Sequence, residues 1–126
     1  MFETHFDRRF AAEFSQSGYQ DLYRCLADLL IRHADVKGVV LTGSWFMDPA
    51  LARISPELAY LRHGPVSMGG KLVPVKTTPD DVRRAISSSV KRRDLFEGGE
   101  YTPRSYMVLW PRDALVAGVT AHINSL

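Results

Sequence analysis

The sequence predicts a small α/β domain, with α+β as its variant: a mixed sheet of about four strands packed with helices. Three observations carry this prediction. A stretch of helical period ending near His33 is followed, after a short polar turn, by the continuous run Val39, Val40, Leu41, the junction of an α/β unit. Further short apolar runs alternate with helix starts and stops down the rest of the chain. The length of 126 residues suits one core, so residues 1–126 are expected to form a single domain.

Residues 1–16 are polar, with Phe2, Phe6, Phe10 and Phe14 four apart. On a helix that spacing makes one apolar stripe, so a packed N-terminal helix or arm is expected, with a homodimer contact as its functional reading. Ser17 and Gly18 are expected to break this segment. Tyr19, Leu22, Tyr23, Leu26, Leu29 and Leu30 then form the clearest amphipathic helix in the chain. Cys25 is expected to be buried among its leucines. Residues 38–42 read as a central strand covered on both faces, with Trp45 and Phe46 mostly buried beyond it. Asp48 and Pro49 suit the N-cap and first position of a short helix reaching residue 53 or 54.

Residues 58–62 are a second strand candidate. A loop framed by His63, Gly64, Pro65 and by Met68, Gly69, Gly70 leads to a third candidate, 71–76. Pro74 cannot donate to a ladder, which puts that strand at an edge or at a bulge. Thr78, Pro79, Asp80 and Asp81 combine a cap, a proline at the first helical position and acids at the positive end of the dipole. The helix they start carries the stripe Val82, Ala85, Ile86, Val90, with Lys91, Arg92 and Arg93 near its C-terminal end and Gly98 and Gly99 as its stop. Residues 105–110 are the fourth strand. Pro111 ends it and starts a final helix through Val119 or beyond.

At 45% apolar and 24% charged, the chain has the composition of a folded domain and not of a disordered one. Its apolar runs are far shorter than the ~18–20 residues that span a bilayer, so no membrane partner is expected. Residues 1–14 lack the apolar core of a secretory signal. The single cysteine excludes an internal disulfide and a Cys-based zinc site, and a cytoplasmic setting is expected. A formal net charge of +2 is too small to imply nucleic acid by itself.

The ends of buried strands are where α/β proteins place ligands. Ser44, Trp45, Phe46 and Asp48 are therefore candidate ligand-binding residues, and His63, in the Gly-Pro loop, joins them. A nucleophile elbow at Ser44 would need glycine at position 46, which is Phe, and no residue is assigned a catalytic role. The four histidines form no metal-type pair, so no metal is expected. Arg83, Arg84, Lys91, Arg92 and Arg93 make a basic patch. Its ordinary reading is a solvated helix face; its functional reading is contact with phosphate, nucleic acid or an acidic partner. Sequence-specific DNA binding is not expected, since no reading motif accompanies these residues.

The run Ser44, Trp45, Phe46, Met47, Asp48, Pro49, Ala50, Leu51 looks like a Ser-Trp-aliphatic-x-Asp-Pro-x-Leu motif, with Phe46 at the aliphatic position. On it the chain distantly resembles the GNAT-type N-acyltransferase-like superfamily. The stretches 54–62 and 101–112 resemble segments of uncharacterised bacterial proteins. The first resemblance implies acyl transfer, if the chain is an enzyme, and coenzyme A as cofactor. The Arg/Gln-x-x-Gly-x-Gly/Ala pyrophosphate loop of that superfamily is absent from this sequence, so only weak coenzyme A binding is expected.

Three functional readings follow. The first is a small cytosolic bacterial domain, distantly acyltransferase-like, that binds a small molecule or acyl group near residues 44–48. The alternative is a non-catalytic protein-interaction module using the Phe-rich arm and the basic helix. The third is a nucleic-acid-binding protein working through the basic helix.

Overall fold

The computed structural model describes residues 2–4 and 16–124. The strands are β1 (Phe2–Thr4), β2 (Gly38–Ser44), β3 (Lys71–Pro74) and β4 (Tyr106–Pro111). The helices are α1 (Gln16–Arg32), α2 (Leu51–Ile54), α3 (Tyr60–Ser67), α4 (Pro79–Ser87), α5 (Val90–Glu97) and α6 (Arg112–Asn124). Short 3-10 turns occupy Trp45–Met47 and Pro56–Leu58. The strands form one mixed sheet in the order β1-β2-β4-β3. Three of them, β2, β4 and β3, pair antiparallel, and β1 lies parallel to β2. The expected small α/β fold is what the chain adopts.

Alternation along the strands sets the layers. Val39 pairs with Trp110 and Leu41 with Val108, so these four share one face, and all are buried. They pack with Tyr23, Leu26, Ala27 and Leu30 of α1 and Leu115 and Val119 of α6. Val40, between Val39 and Leu41, is only half-buried, because successive side chains point to opposite faces. The strand is central, as predicted, but it is buried deeply on one face and not on both. Arg112 joins the layers: its guanidinium donates to the carbonyls of His33 and Val36, at 2.9 and 3.0 Å, and so holds the end of α1.

Several expectations are corrected. Of the expected N-terminal helix or arm only Phe2–Thr4 is described, as strand β1, and the Phe6, Phe10, Phe14 stripe lies outside the described residues. Gly18 continues α1 instead of breaking the chain before it. Cys25 is exposed, on the side of α1 away from the core. The strand candidate 58–62 is a 3-10 turn leading into α3, and His63, Gly64 and Pro65 are helical. Leu61 and Pro65, four apart, are both fully buried. Their shared face outweighs the turn preference of Gly-Pro, a tertiary override of local propensity.

The long helix predicted after Thr78 is two helices. Its start is as expected: Thr78 and Asp81 form a reciprocal capping box, at 3.0 and 3.1 Å. Ser88 and Ser89 then interrupt it. Ser88 donates its hydroxyl to the Arg84 carbonyl, and Ser89 adopts extended dihedrals and accepts from Arg92 N as the cap of α5. Serine side chains offer the backbone this alternative to continued helix. Val90 consequently leaves the apolar stripe and is 64% exposed. Lys91, Arg92 and Arg93 sit in the first turn of a new helix, not at the end of an old one. β3 is an edge strand ending at Pro74, as that residue requires.

Candidate functional site

The residues predicted to bind ligand divide between two places. Ser44 ends β2. Trp45 and Phe46 follow in the 3-10 turn with their rings edge-to-face at 5.7 Å. Both rings are half-buried, less than expected, and pack against a small second cluster built on Leu51, Ile54 and Tyr101. Asp48 is buried, but it does not cap a helix begun by Pro49: its Oδ1 accepts from Ala50 N at 3.0 Å, and α2 begins only at Leu51. His63 is remote from this group in role: it is exposed on α3 and lines a different cleft.

That cleft lies between α1, α3 and α6 and has a volume of about 280 Å³. Its walls come mainly from Tyr19 and Tyr23 of α1, Tyr60, His63 and Gly64 of α3, and Gly118 of α6. The helical register of α1 sets Tyr19 and Tyr23 one turn apart on the same face. Tyr19 meets both other phenols edge-on, at 6.1 Å to Tyr23 and 6.0 Å to Tyr60. Tyr23 in turn stands edge-on to Trp110 at 5.2 Å. Glycine shapes the cleft at two points. A Cβ on Gly118 would meet Met68 Cβ at 2.8 Å, so glycine is what lets α6 approach that closely. At Gly64 the nearest atoms to a Cβ are Tyr23 Cε2 and Oη, each at 3.5 Å, so α3 passes directly beside the phenol at a residue without a side chain.

Tyr23 is 5% exposed, and its hydroxyl makes no hydrogen bond among the described residues. Leaving such a group unpaired costs about 1–3 kcal/mol, and native folds keep few of them. Burial, and after it the neighbouring phenols of Tyr19 and Tyr60, pushes the Tyr23 hydroxyl far above its ordinary range. Burial raises Tyr19 to about 12 in the same way, with Tyr60 as the lesser cause. All three phenols are thus neutral near pH 7, and their rings give the cleft a mainly apolar wall. Arg24 stands at the rim, loosely paired with Asp21 at 3.9 Å.

The same shifts predict an alkaline limit to stability. In the unfolded chain these phenols ionise near their ordinary value of 10.0, whereas Tyr19 and Tyr101 in the fold stay protonated to about 12. A raised folded value contributes fully below the unfolded one and is lost above it. Stability should therefore be level up to about pH 10 and fall as pH rises toward 12. Urea melts along this range, followed together with tyrosinate absorbance, check it; phenols that ionise in the folded protein near 10 would contradict it.

The basic patch does not form one face. Arg83 and Arg84 both pair with Asp80. Arg92 turns inward and is 3% exposed. It donates to the Ala85 carbonyl at 2.7 Å, to Ser55 Oγ at 2.8 Å and to Ser88 Oγ at 2.6 Å, and it lies 4.6 Å over the Trp45 ring. Only Lys91 and Arg93 of the α5 trio face solvent. Among the described residues no group of three or more His, Cys, Asp or Glu side chains is placed to hold a metal, and no helix is long and apolar enough to cross a membrane.

Sequence reasoning took Tyr19 and Tyr23 as stripe residues and did not single out Tyr60. Their phenolic ends were the available signal, since a tyrosine in a core stripe needs a hydrogen-bond partner that leucine does not. Compared with protein-family models, with curated proteins and with solved structures, the chain finds no match.

Proposed function

We propose that this domain binds a small, mainly apolar molecule, an acyl chain or an aromatic ring bearing one hydrogen-bond acceptor, in the cleft between α1, α3 and α6. The buried Tyr23 hydroxyl is the observation that carries this reading. A ligand carbonyl or carboxylate accepting from it would satisfy a donor that the fold leaves unpaired. The aromatic walls supply the apolar contact, and a volume of about 280 Å³ stands near the lower end of ordinary ligand cavities. The acyl class follows from the acyltransferase resemblance and the aromatic class from the tyrosines. Coenzyme A itself is expected to bind no more tightly than about millimolar, because the sequence lacks a pyrophosphate loop.

Two substitutions test this reading with octanoate and 2-naphthoate as probes. Tyr23→Phe removes the unpaired hydroxyl and should raise the stability of the free protein by about 1 kcal/mol, yet weaken probe binding about tenfold. Gly64→Ala should also stabilise, by roughly 0.5–1 kcal/mol, as glycine is replaced inside a helix. Its methyl would stand over the Tyr23 hydroxyl and block the probe. Chemical denaturation and calorimetry read both effects. Undiminished probe binding in both variants, or no binding to the parent chain, would sink the proposal.

The protein-interaction reading has one observation on its side. Val40, Val73, Met107 and Leu109 are half-buried, and their register sets them on the sheet face opposite Val39 and Trp110.

A further inference from the structure

A second recess lies between α2 and the segment that leads into β4. It has a volume of about 320 Å³, and its lining includes Asp48, Arg53, Ile54, Glu100, Tyr101 and Arg104. Tyr101 repeats the Tyr23 pattern: it is 4% exposed, and its hydroxyl makes no hydrogen bond among the described residues. Asp48 is 5% exposed and accepts one backbone hydrogen bond, from Ala50, through Oδ1. Arg53, Glu100 and Arg104 are exposed and form no ion pair among the described residues. The recess is therefore lined by two exposed guanidinium groups and the exposed Glu100 carboxylate, with the buried Asp48 carboxylate, held by one backbone hydrogen bond, and the buried, unpaired Tyr101 phenol at its floor.

We propose that this recess is a second binding site, for a small zwitterion carrying a carboxylate and an ammonium group, as a free α-amino acid does. The lining itself selects this chemistry. An anion without a cationic partner would be attracted by Arg53 and Arg104 but repelled by Asp48 and Glu100, and a simple cation would meet the converse. A zwitterion satisfies both sets at once. Its carboxylate accepts from the arginines, whose planar forks suit it, and from the Tyr101 hydroxyl, while its ammonium donates to Asp48. Tyr101 is the group on which both charges act: burial first, and then the Asp48 carboxylate, raises it to about 12, against the opposing influence of Arg92. It is thus a donor at neutral pH. The site differs from the tyrosine cleft in place and chemistry, so the two stand or fall separately.

The test uses the full chain with an equimolar mixture of the twenty amino acids, then each singly, beside inorganic phosphate, acetate and methylammonium. Thermal unfolding and calorimetry are the readouts. The expected result is stabilisation by one or a few amino acids and by none of the three simple ions. Tyr101→Phe should fold with undiminished stability, since it removes an unpaired hydroxyl, and bind about tenfold more weakly. Arg104→Gln, at an exposed position, should weaken binding without touching the core. Gly64→Ala should bind the amino acid as the parent does. Failure of every amino acid to bind at about 10 mM would overturn the proposal, as would an equal effect from phosphate or acetate alone. Unchanged affinity in both Tyr101→Phe and Arg104→Gln would also overturn it.

Discussion

Trp110→Ala is expected to lower stability by about 3–5 kcal/mol, the largest loss anticipated for a single side chain in this domain. The indole is fully buried at the middle of the sheet. It pairs with Val39 across the β2–β4 ladder, stands edge-on to Tyr23 at 5.2 Å and donates its Nε1–H to the Met68 carbonyl at 3.1 Å. Alanine would leave a cavity at the junction of β4, α1 and the turn after α3, and would strip the part-buried Met68 carbonyl of its donor. Total stability for a domain is about 5–15 kcal/mol, so the variant should unfold at a temperature lower by roughly 10–25 °C. Trp110→Phe separates the two contributions: it keeps most of the packing and loses the hydrogen bond, for about 1–2 kcal/mol. Trp45→Ala is the internal comparison. Trp45 is only half-buried and should cost clearly less. Equal losses at the two tryptophans in a denaturant melt would contradict the assignment of Trp110 to the core.

The second large effect is at Arg92. Arg92→Ala should cost about 3 kcal/mol or more, as breaking a buried charged hydrogen-bond network generally does. Its guanidinium ties the last turn of α4, through Ala85, and the serine junction, through Ser88, to Ser55 after α2, which is the one partner distant in sequence. Burial pulls its pKa down, and Glu57 and Tyr101 oppose that pull, but a guanidinium remains charged in proteins. Arg92→Lys should recover little, because an ammonium lacks the planar fork that reaches three acceptors and the flat face that stacks on Trp45. Arg92→Met, of similar length and apolar, should be the mildest of the three. Denaturant melts of the three variants check the order; near-neutral Arg92→Ala, within about 0.5 kcal/mol, would show that the network contributes nothing. Arg92 illustrates how a basic run misleads: Lys91, Arg92 and Arg93 are alike on the page, and only the fold turns the middle one inward.

What was legible in the sequence was what neighbouring residues control among themselves. The capping box of Thr78 and Asp81 is closed by groups three residues apart. Pro74 lacks an N–H in any setting, so an edge position or a bulge followed, and the fold takes the edge. The β-branched run 39–41 reads as a strand because its side chains fit a pleated surface better than a helix. These signals sufficed for the fold class, the central strand and the outer helices. The stretch 58–67 went astray because Leu61 and Pro65 are helical only by virtue of the core they share, which no local preference expresses. Cys25 went astray because a residue inside a leucine-rich stretch can still lie on the solvent side of a helix. For the candidate sites the division is sharper. Asp48 lines a recess, while His63 lines another. Their separation depended on α3 being a helix. Whether Tyr23 and Tyr101 have partners was undetermined until every other polar group was placed around them, because a buried hydroxyl's satisfaction is a property of its surroundings and not of its own sequence.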